Sequence, residues 1–207
     1  GADAEAVVAA MQSESSTPPH RGDRPPPVSQ GMYGEFSVVD GTVRIDDAVR
    51  AAADDRMPAL ALTDLANLFG LVKFYSAARD AGVKPIAGCD VWTTHASERD
   101  APFRALLLAA DRGGYLKLCD WLTRAYLGHQ HRGRAEIDPA WFDEGTEGLI
   151  VLAGARDSDV GQALLQGNPV VAKTAAEAWK RRFPGRCYLE VQRAGHTDEE
   201  ALVDATV

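Results

Sequence analysis

The sequence predicts an α/β fold, a parallel sheet wrapped by helices, and three observations point to it. Short, wholly apolar runs recur, ALAL at 59–62, ALLLA at 105–109 and LIVLA at 149–153, as expected of strands covered on both faces. Stretches with apolar residues at helical spacing lie between and after them. Gly or Pro punctuates the ends of those stretches. Alternation of this kind is met by a closed barrel or by a doubly wound open sheet, and the pattern leaves both open.

Taken in order, residues 1–11 have the composition of a short Ala-rich helix. The stretch at 12–30, QSESSTPPHRGDRPPPVSQ, is Pro/Ser-rich with almost no apolar content. Such a segment cannot offset the entropy of ordering, so 1–30 reads as a flexible leader and linker and 31–207 as the folded segment. Ile45, Ala48, Val49 and Ala52 make a first helical stripe ahead of the strand at 59–62. Thr63-Asp64 ends that strand, and Asn67 offers a cap to a second helix striped by Leu68, Leu71, Val72 and Tyr75. Gly82 stops this helix, and 83–92 returns as a strand.

After the strand at 105–109, Tyr115, Leu118, Cys119, Leu122 and Tyr126 stripe a long helix. Asp138-Pro139 opens a short helix carrying Trp141 and Phe142, a cap followed by Pro at the first helical position. A strand at 149–153 and a helix near 159–165 follow. Ala172, Ala175, Ala176, Trp179 and Phe183 stripe the next helix, closed by Pro184-Gly185. Residues 187–191 form the last clear strand, and Thr197-Asp198-Glu199-Glu200 opens a final helix with acids in its first turn. In α/β units the loops after the strands carry the chemistry, which puts Asp64 and Asp90 where a site belongs.

Composition narrows the function classes. The net charge is −8, from 22 basic and 30 acidic residues, which argues against a general DNA-coating surface. Cys89, Cys119 and Cys187 are odd in number, widely spaced and without a CxxC. They read as reduced thiols of a cytoplasmic protein. No apolar run approaches membrane-spanning length, and GADAEAVVAAM lacks the basic region of a signal peptide. Walker A, GxGxxG and GxSxG motifs do not occur, since Lys173-Thr174 lacks the preceding glycines.

A resemblance adds to this reading. The stretch PALALTDLANLFGLVKFYSAARDAGVKPIAGCDVW at 58–92 is similar to the polymerase-and-histidinol-phosphatase (PHP) domain found at the N-terminus of bacterial DNA polymerase III alpha subunits. EFSVVDGTVRID at 35–46, LLLAADRGGYLKLCDWLTRAYL at 106–127, RGRAEID at 132–138, GLIVLAGA at 148–155 and CYLEVQRAG at 187–195 support it, in the family's order and spacing. The match runs from about Gly34 to Val207. It implies a distorted seven-stranded β/α barrel, here incomplete. VSQGMYG replaces the first strand, and the family's last strands fall beyond Val207.

PHP phosphoesterases, the resemblance implies, hold a metal cluster at the barrel mouth on His, carboxylate and one Cys ligand. Several such donors must converge at about 2.0–2.3 Å to lower the pKa of a bound water. The family's His-x-His pair falls on Gly31 and Tyr33, its His after Thr-Asp on Leu65, its Glu after the Gly turn on Asp90, and its Cys on Ala155. Only Asp40 and Asp90 remain as oxygen donors at matching positions, so no metal and no catalytic residue is expected in this segment. Asp64 reads as a strand-end cap or loop hydrogen-bonder. Glu190 either points into the mouth or lies at an edge.

Other patterns have bland readings that outweigh the functional ones. His129-Gln130-His131 could share a metal on one strand face, yet it lies between a helix end and RGR and reads as a polar loop. Asp157-Ser158-Asp159 looks like the paired aspartates that hold Mg²⁺ in polymerases, but between a strand and a helix it reads as a cap. The family's polymerase carboxylates, with their Mg²⁺, are placed far beyond Val207. Arg132, Arg134 and the run Lys180-Arg181-Arg182 read as solvated faces or partner contacts. The expectation is therefore a scaffold segment of a replicative polymerase. It braces the polymerase core, helps dock the proofreading exonuclease subunit and meets primer–template DNA only through the parent chain. The rivals are a metal-dependent PHP phosphoesterase, which lacks its His ligands here, and an unrelated small-molecule β/α barrel enzyme, which needs a catalytic Lys or phosphate-binding Gly loop that is not evident.

Overall fold

A computed structural model describes residues 31–32 and 43–190. The leader at 1–30, Tyr33, Asp40 and the final helix expected from 197 lie outside the described residues. The elements run β1 (Gly31–Met32), α1 (Ile45–Asp54), β2 (Ala59–Leu62), α2 (Leu71–Asp80), β3 (Lys84–Thr93), β4 (Phe103–Ala109), α3 (Arg112–Gly128), β5 (Gln130–His131) and β6 (Arg134–Ile137). A 3₁₀ turn at Pro139–Glu144, β7 (Leu149–Ala153), α4 (Asp159–Leu165), α5 (Pro169–Arg182) and β8 (Cys187–Leu189) complete them.

One sheet runs β1-β2-β3-β4-β7-β8, with β6 joining β3 as a seventh strand and the two-residue β5 pairing only with β6. Among the described residues it does not close. The segment expected to replace the first strand pairs at two residues, Gly31 with Ala61 and Met32 with Leu62. The sheet is mixed rather than parallel: β4 runs antiparallel to both β3 and β7. The reason is local. No helix separates β3 from β4, so the chain turns straight back on itself, and a direct return gives antiparallel pairing.

Parity along the strands shows what the sheet faces. Cys89, Val91, Leu107, Val151 and Ala153 are buried against α3, α4, α5 and the 3₁₀ turn in one apolar cluster. Leu60, Leu62 and Ala87 are buried with Ile45, Val49, Leu71 and Phe74 of α1 and α2 in a second. By the register both clusters lie on the same side of the sheet. The opposite side carries Asp90, Trp92, Arg104, Leu106 and Leu152, of which the last four are only half-buried. Among the described residues the helices cover one face alone, which suits a barrel wall rather than a doubly wound sheet. The centre of the larger cluster is aromatic, with the Phe142 ring 5.2 Å from Trp121, 5.3 Å from Trp179 and 5.7 Å from Phe183.

Two helical stripes differ from expectation. On α2 the buried residues are Leu71, Phe74 and Ala78, while Val72 is 47% exposed. On α3 they are Gly114, Leu118, Trp121, Leu122 and Ala125, and Tyr126 is largely exposed. In each case the helix is rolled by part of a turn, because the sheet places the larger Phe74 and Trp121 inward. Gly114 is required where α3 crosses the start of β7: a Cβ there would meet the Gly148 carbonyl oxygen at 1.8 Å. Asn67 does not cap α2, which begins at Leu71 with Gly70 before it. It closes a tighter turn instead, its Oδ1 accepting from the Phe69 N–H at 3.0 Å and its Nδ2 donating to the Leu65 carbonyl at 3.0 Å.

Candidate functional site

The ends of β2, β3 and β7 open onto a small cleft of about 90 Å³ on the helix-free face, lined by Thr63, Asp90, Arg104, Leu106, Leu152, Ala155 and Glu190 among others. Its floor is set by the turn after β2. This turn runs along β3, with the Ala66 N–H donating to the Asp90 carbonyl at 2.7 Å and the Asp90 N–H to the Asp64 carbonyl at 3.2 Å. Ala66, which makes the first of these contacts, takes a left-handed φ of 54°. Gly88 allows β2 and β4 to crowd β3 at this level, since a Cβ would come within 2.6 Å of Leu108 and 2.9 Å of Thr63. Cys89, on the core side, donates its thiol to the Asp64 carbonyl at 3.3 Å. Burial, reinforced by the Asp90 charge, pushes that thiol well above its ordinary pKa.

The site residues expected from sequence separate into those that meet and those that do not. Asp64 and Asp90 are both buried on adjacent backbone, and of the two Asp90 lines the cleft. Leu65 is half-buried beside Asp90, and Ala155 lines the cleft with no side-chain donor. Gly31 pairs with Ala61 at the end of β1. Glu190 reaches the mouth: it lines the cleft, and its N–H donates to the Ala153 carbonyl at 2.5 Å.

The residue that sequence reasoning missed is Arg104. The strand was expected to begin at Ala105, yet it begins at Phe103 and turns Arg104 onto the same face as Asp90. Its guanidinium forms an ion pair with the Asp90 carboxylate, and its Nη1 lies 3.9 Å from Asp157 Oδ2. The guanidinium carbon itself lies over the Trp92 ring, 5.2 Å from its centroid. Glu136 was missed too. Opposite Trp92 in the register, it is fully buried and faces Arg99 at 3.5 Å, Arg134 at 3.4 Å and the Thr94 hydroxyl at 3.4 Å. The available signal was a lone acid in RAEI flanked by Arg on the same chain, but Arg99 comes from a distant loop.

The polar loop expected at 129–131 is instead the start of a hairpin. Gln130 pairs with Ala135 and His131 with Arg134, around Arg132 and Gly133, both at positive φ (50° and 80°). The two imidazoles go to different partners. His129 Nδ1 lies 2.8 Å from the Glu136 carbonyl, and His131 Nε2 lies 2.6 Å from Asp100 Oδ1. In Asp157-Ser158-Asp159 the cap is Ser158, whose Oγ accepts from the N–H groups of Gly154 at 3.0 Å and Gly161 at 2.9 Å. Asp159 accepts from Trp179 Nε1 at 2.9 Å, and burial raises its pKa against the lowering effect of that bond.

Among the described residues the mouth does not fit a metal cluster. Leu65 and Ala155 offer no lone pairs, and the best-placed carboxylate, Asp90, already holds a guanidinium. Among the described residues no three His, Cys, Asp or Glu side chains are grouped to hold a metal ion. What the arrangement does is neutralise charge and tie β3, β4 and the β7–α4 loop together.

A sheet with the described helices on one face and a carboxylate-bearing cleft on the other is the architecture of a β/α-barrel wall. The PHP domain model matches residues 32–194, and the chain belongs to this family. Over 179 residues it is 44% identical to the DNA polymerase III subunit alpha of Neisseria meningitidis serogroup B, covering 85% of this chain and 16% of that protein. Over 176 residues it is 39% identical to the DNA polymerase III subunit alpha of Escherichia coli K12, covering 85% and 15%. The chain thus spans about one sixth of the length of these relatives. A solved amidohydrolase from Chromobacterium violaceum is a remoter likeness, 17% identical with a TM-score of 0.40 over 74% of this chain and 49% of that one. No helix of the described residues is long and apolar enough to cross a membrane.

Proposed function

We propose that this chain is the PHP-domain segment of a bacterial replicative polymerase, the DNA polymerase III alpha subunit, and that the segment is a scaffold rather than a catalyst. The parent chain performs template-directed nucleotidyl transfer in the cytoplasm with Mg²⁺ held by carboxylates outside this segment. Residues 31–207 form the barrel wall and 1–30 a leader. The wall braces the polymerase core and helps dock the proofreading exonuclease subunit. The observation that carries the non-catalytic reading is the mouth itself: Leu65 and Ala155 without donors, and Asp90 committed to Arg104.

The test is elemental analysis after dialysis, paired with phosphomonoester and phosphodiester hydrolysis in added Mn²⁺ and Zn²⁺. The expected result is substoichiometric metal and hydrolysis at the buffer rate. Stoichiometric metal, with hydrolysis lost in Asp40→Ala or Asp90→Ala, overturns the reading in favour of a phosphoesterase. Docking is tested separately by co-elution with the exonuclease subunit in size-exclusion chromatography, and separate elution removes that role.

A further inference from the structure

We infer that Arg104 is the built-in cation of the mouth, a permanent charge that occupies the lone pairs of Asp90 and closes the site to metal. The inference rests on the non-catalytic reading above and names the group that enforces it. Its first support is register. Asp90 lies opposite Leu106 and Trp92 opposite Arg104, so Arg104 is the diagonal neighbour of Asp90 on one face, within reach of a long side chain.

The second support is burial. The side chains are 15% and 9% exposed, so neither charge is left to bulk water and each needs the other. The third is orientation. The guanidinium carbon lies 5.2 Å from the Trp92 ring centroid, while the Arg104 backbone N–H donates to the Asp157 carbonyl at 2.8 Å. Asp157 Oδ2, 3.9 Å from Nη1, adds a second carboxylate on the far side. A guanidinium keeps its proton at every pH a protein survives, so unlike Lys or His it does not vacate the place by titration. A divalent ion approaching Asp90 would meet a fixed positive charge and a carboxylate already engaged.

A double-mutant cycle on the whole chain tests this, with Arg104→Met, Asp90→Asn and the pair, read as Tm by circular dichroism with and without millimolar Mn²⁺. Met keeps an unbranched apolar side chain at this position and removes the charge. Each single variant is expected to lower Tm by roughly 5–10 °C, because each leaves a half-buried charge without its main partner. The pair is expected to lose clearly less than the sum. Mn²⁺ is expected to leave the wild-type Tm unchanged. If Arg104→Met does not fold, Arg104→Lys replaces it in the cycle, with a smaller loss that still couples to Asp90→Asn.

Additive losses, or a Tm unchanged in Arg104→Met, overturn the inference while leaving the scaffold reading intact. A Mn²⁺-dependent rise of the wild-type Tm that Asp90→Asn abolishes also overturns it. Metal-dependent hydrolysis by the wild type overturns the scaffold reading instead, so the two failures are distinguishable.

Discussion

Trp179→Phe isolates a charge-assisted hydrogen bond in the core. Trp179 is 4% exposed, and its Nε1 donates to both oxygens of Asp159 at 2.9 and 3.1 Å. Phe keeps the ring contact with Phe142 and removes the donor. A hydrogen bond to a charged group contributes about 1.5–3 kcal/mol, and the smaller ring adds a loss on the order of 1 kcal/mol. The expected cost at neutral pH is therefore about 2–4 kcal/mol, a Tm drop of roughly 5–12 °C for a domain of this size.

The sign with pH follows from Asp159. Burial raises its folded pKa above the unfolded value, so the folded state binds the proton more tightly. Its ionised burial is unfavourable at neutral pH and is relieved as pH falls through the raised folded value. Trp179 opposes that rise, so Trp179→Phe raises the folded pKa further. The deficit of the variant should shrink in acid, where a neutral carboxyl loses only an ordinary hydrogen bond. Urea denaturation of wild type and variant, at neutral pH and at mildly acid pH, measures it. An equal deficit at both pH values, or the same deficit in an Asp159→Asn background, refutes the assignment of the loss to this ion–donor bond.

Other expectations follow from single contacts. Gly114→Ala should prevent folding or cost more than about 3 kcal/mol, since the added Cβ meets a backbone carbonyl that no rotamer change can clear; soluble expression and a thermal melt check it. Cys89 should resist Ellman's reagent until the chain unfolds, because the thiolate is disfavoured by burial and by Asp90. Arg124→Ala should shift a denaturation curve only slightly, because its partner Glu144 is exposed and solvent screens the pair. With a net charge of −8, the segment alone should not shift primer–template DNA in a low-salt gel, where phosphate contacts are strongest.

The sequence by itself determined which pieces would form. Apolar runs placed the strands at 59–62 and 149–153 to the residue, Asp138-Pro139 announced the 3₁₀ turn, and Gly82 ended α2. Thr63-Asp64 was legible as the end of β2, whereas Asp90 lies inside β3, bridged to Leu65. Only the tertiary structure decided which face of each helix turned inward. On α2, Leu71 with Val72 and Tyr75 and Leu71 with Phe74 and Ala78 are both helical stripes, and the sheet chose the second. Only the structure, too, turned β4 antiparallel and brought Arg104 to Asp90, or Arg99 to Glu136 across 37 positions of chain. The physical reason is that periodicity is a property of neighbours along the chain, whereas an ion pair across strands depends on register. Register is set by the turn between β3 and β4 and by the packing of every strand at once, and no local pattern encodes it.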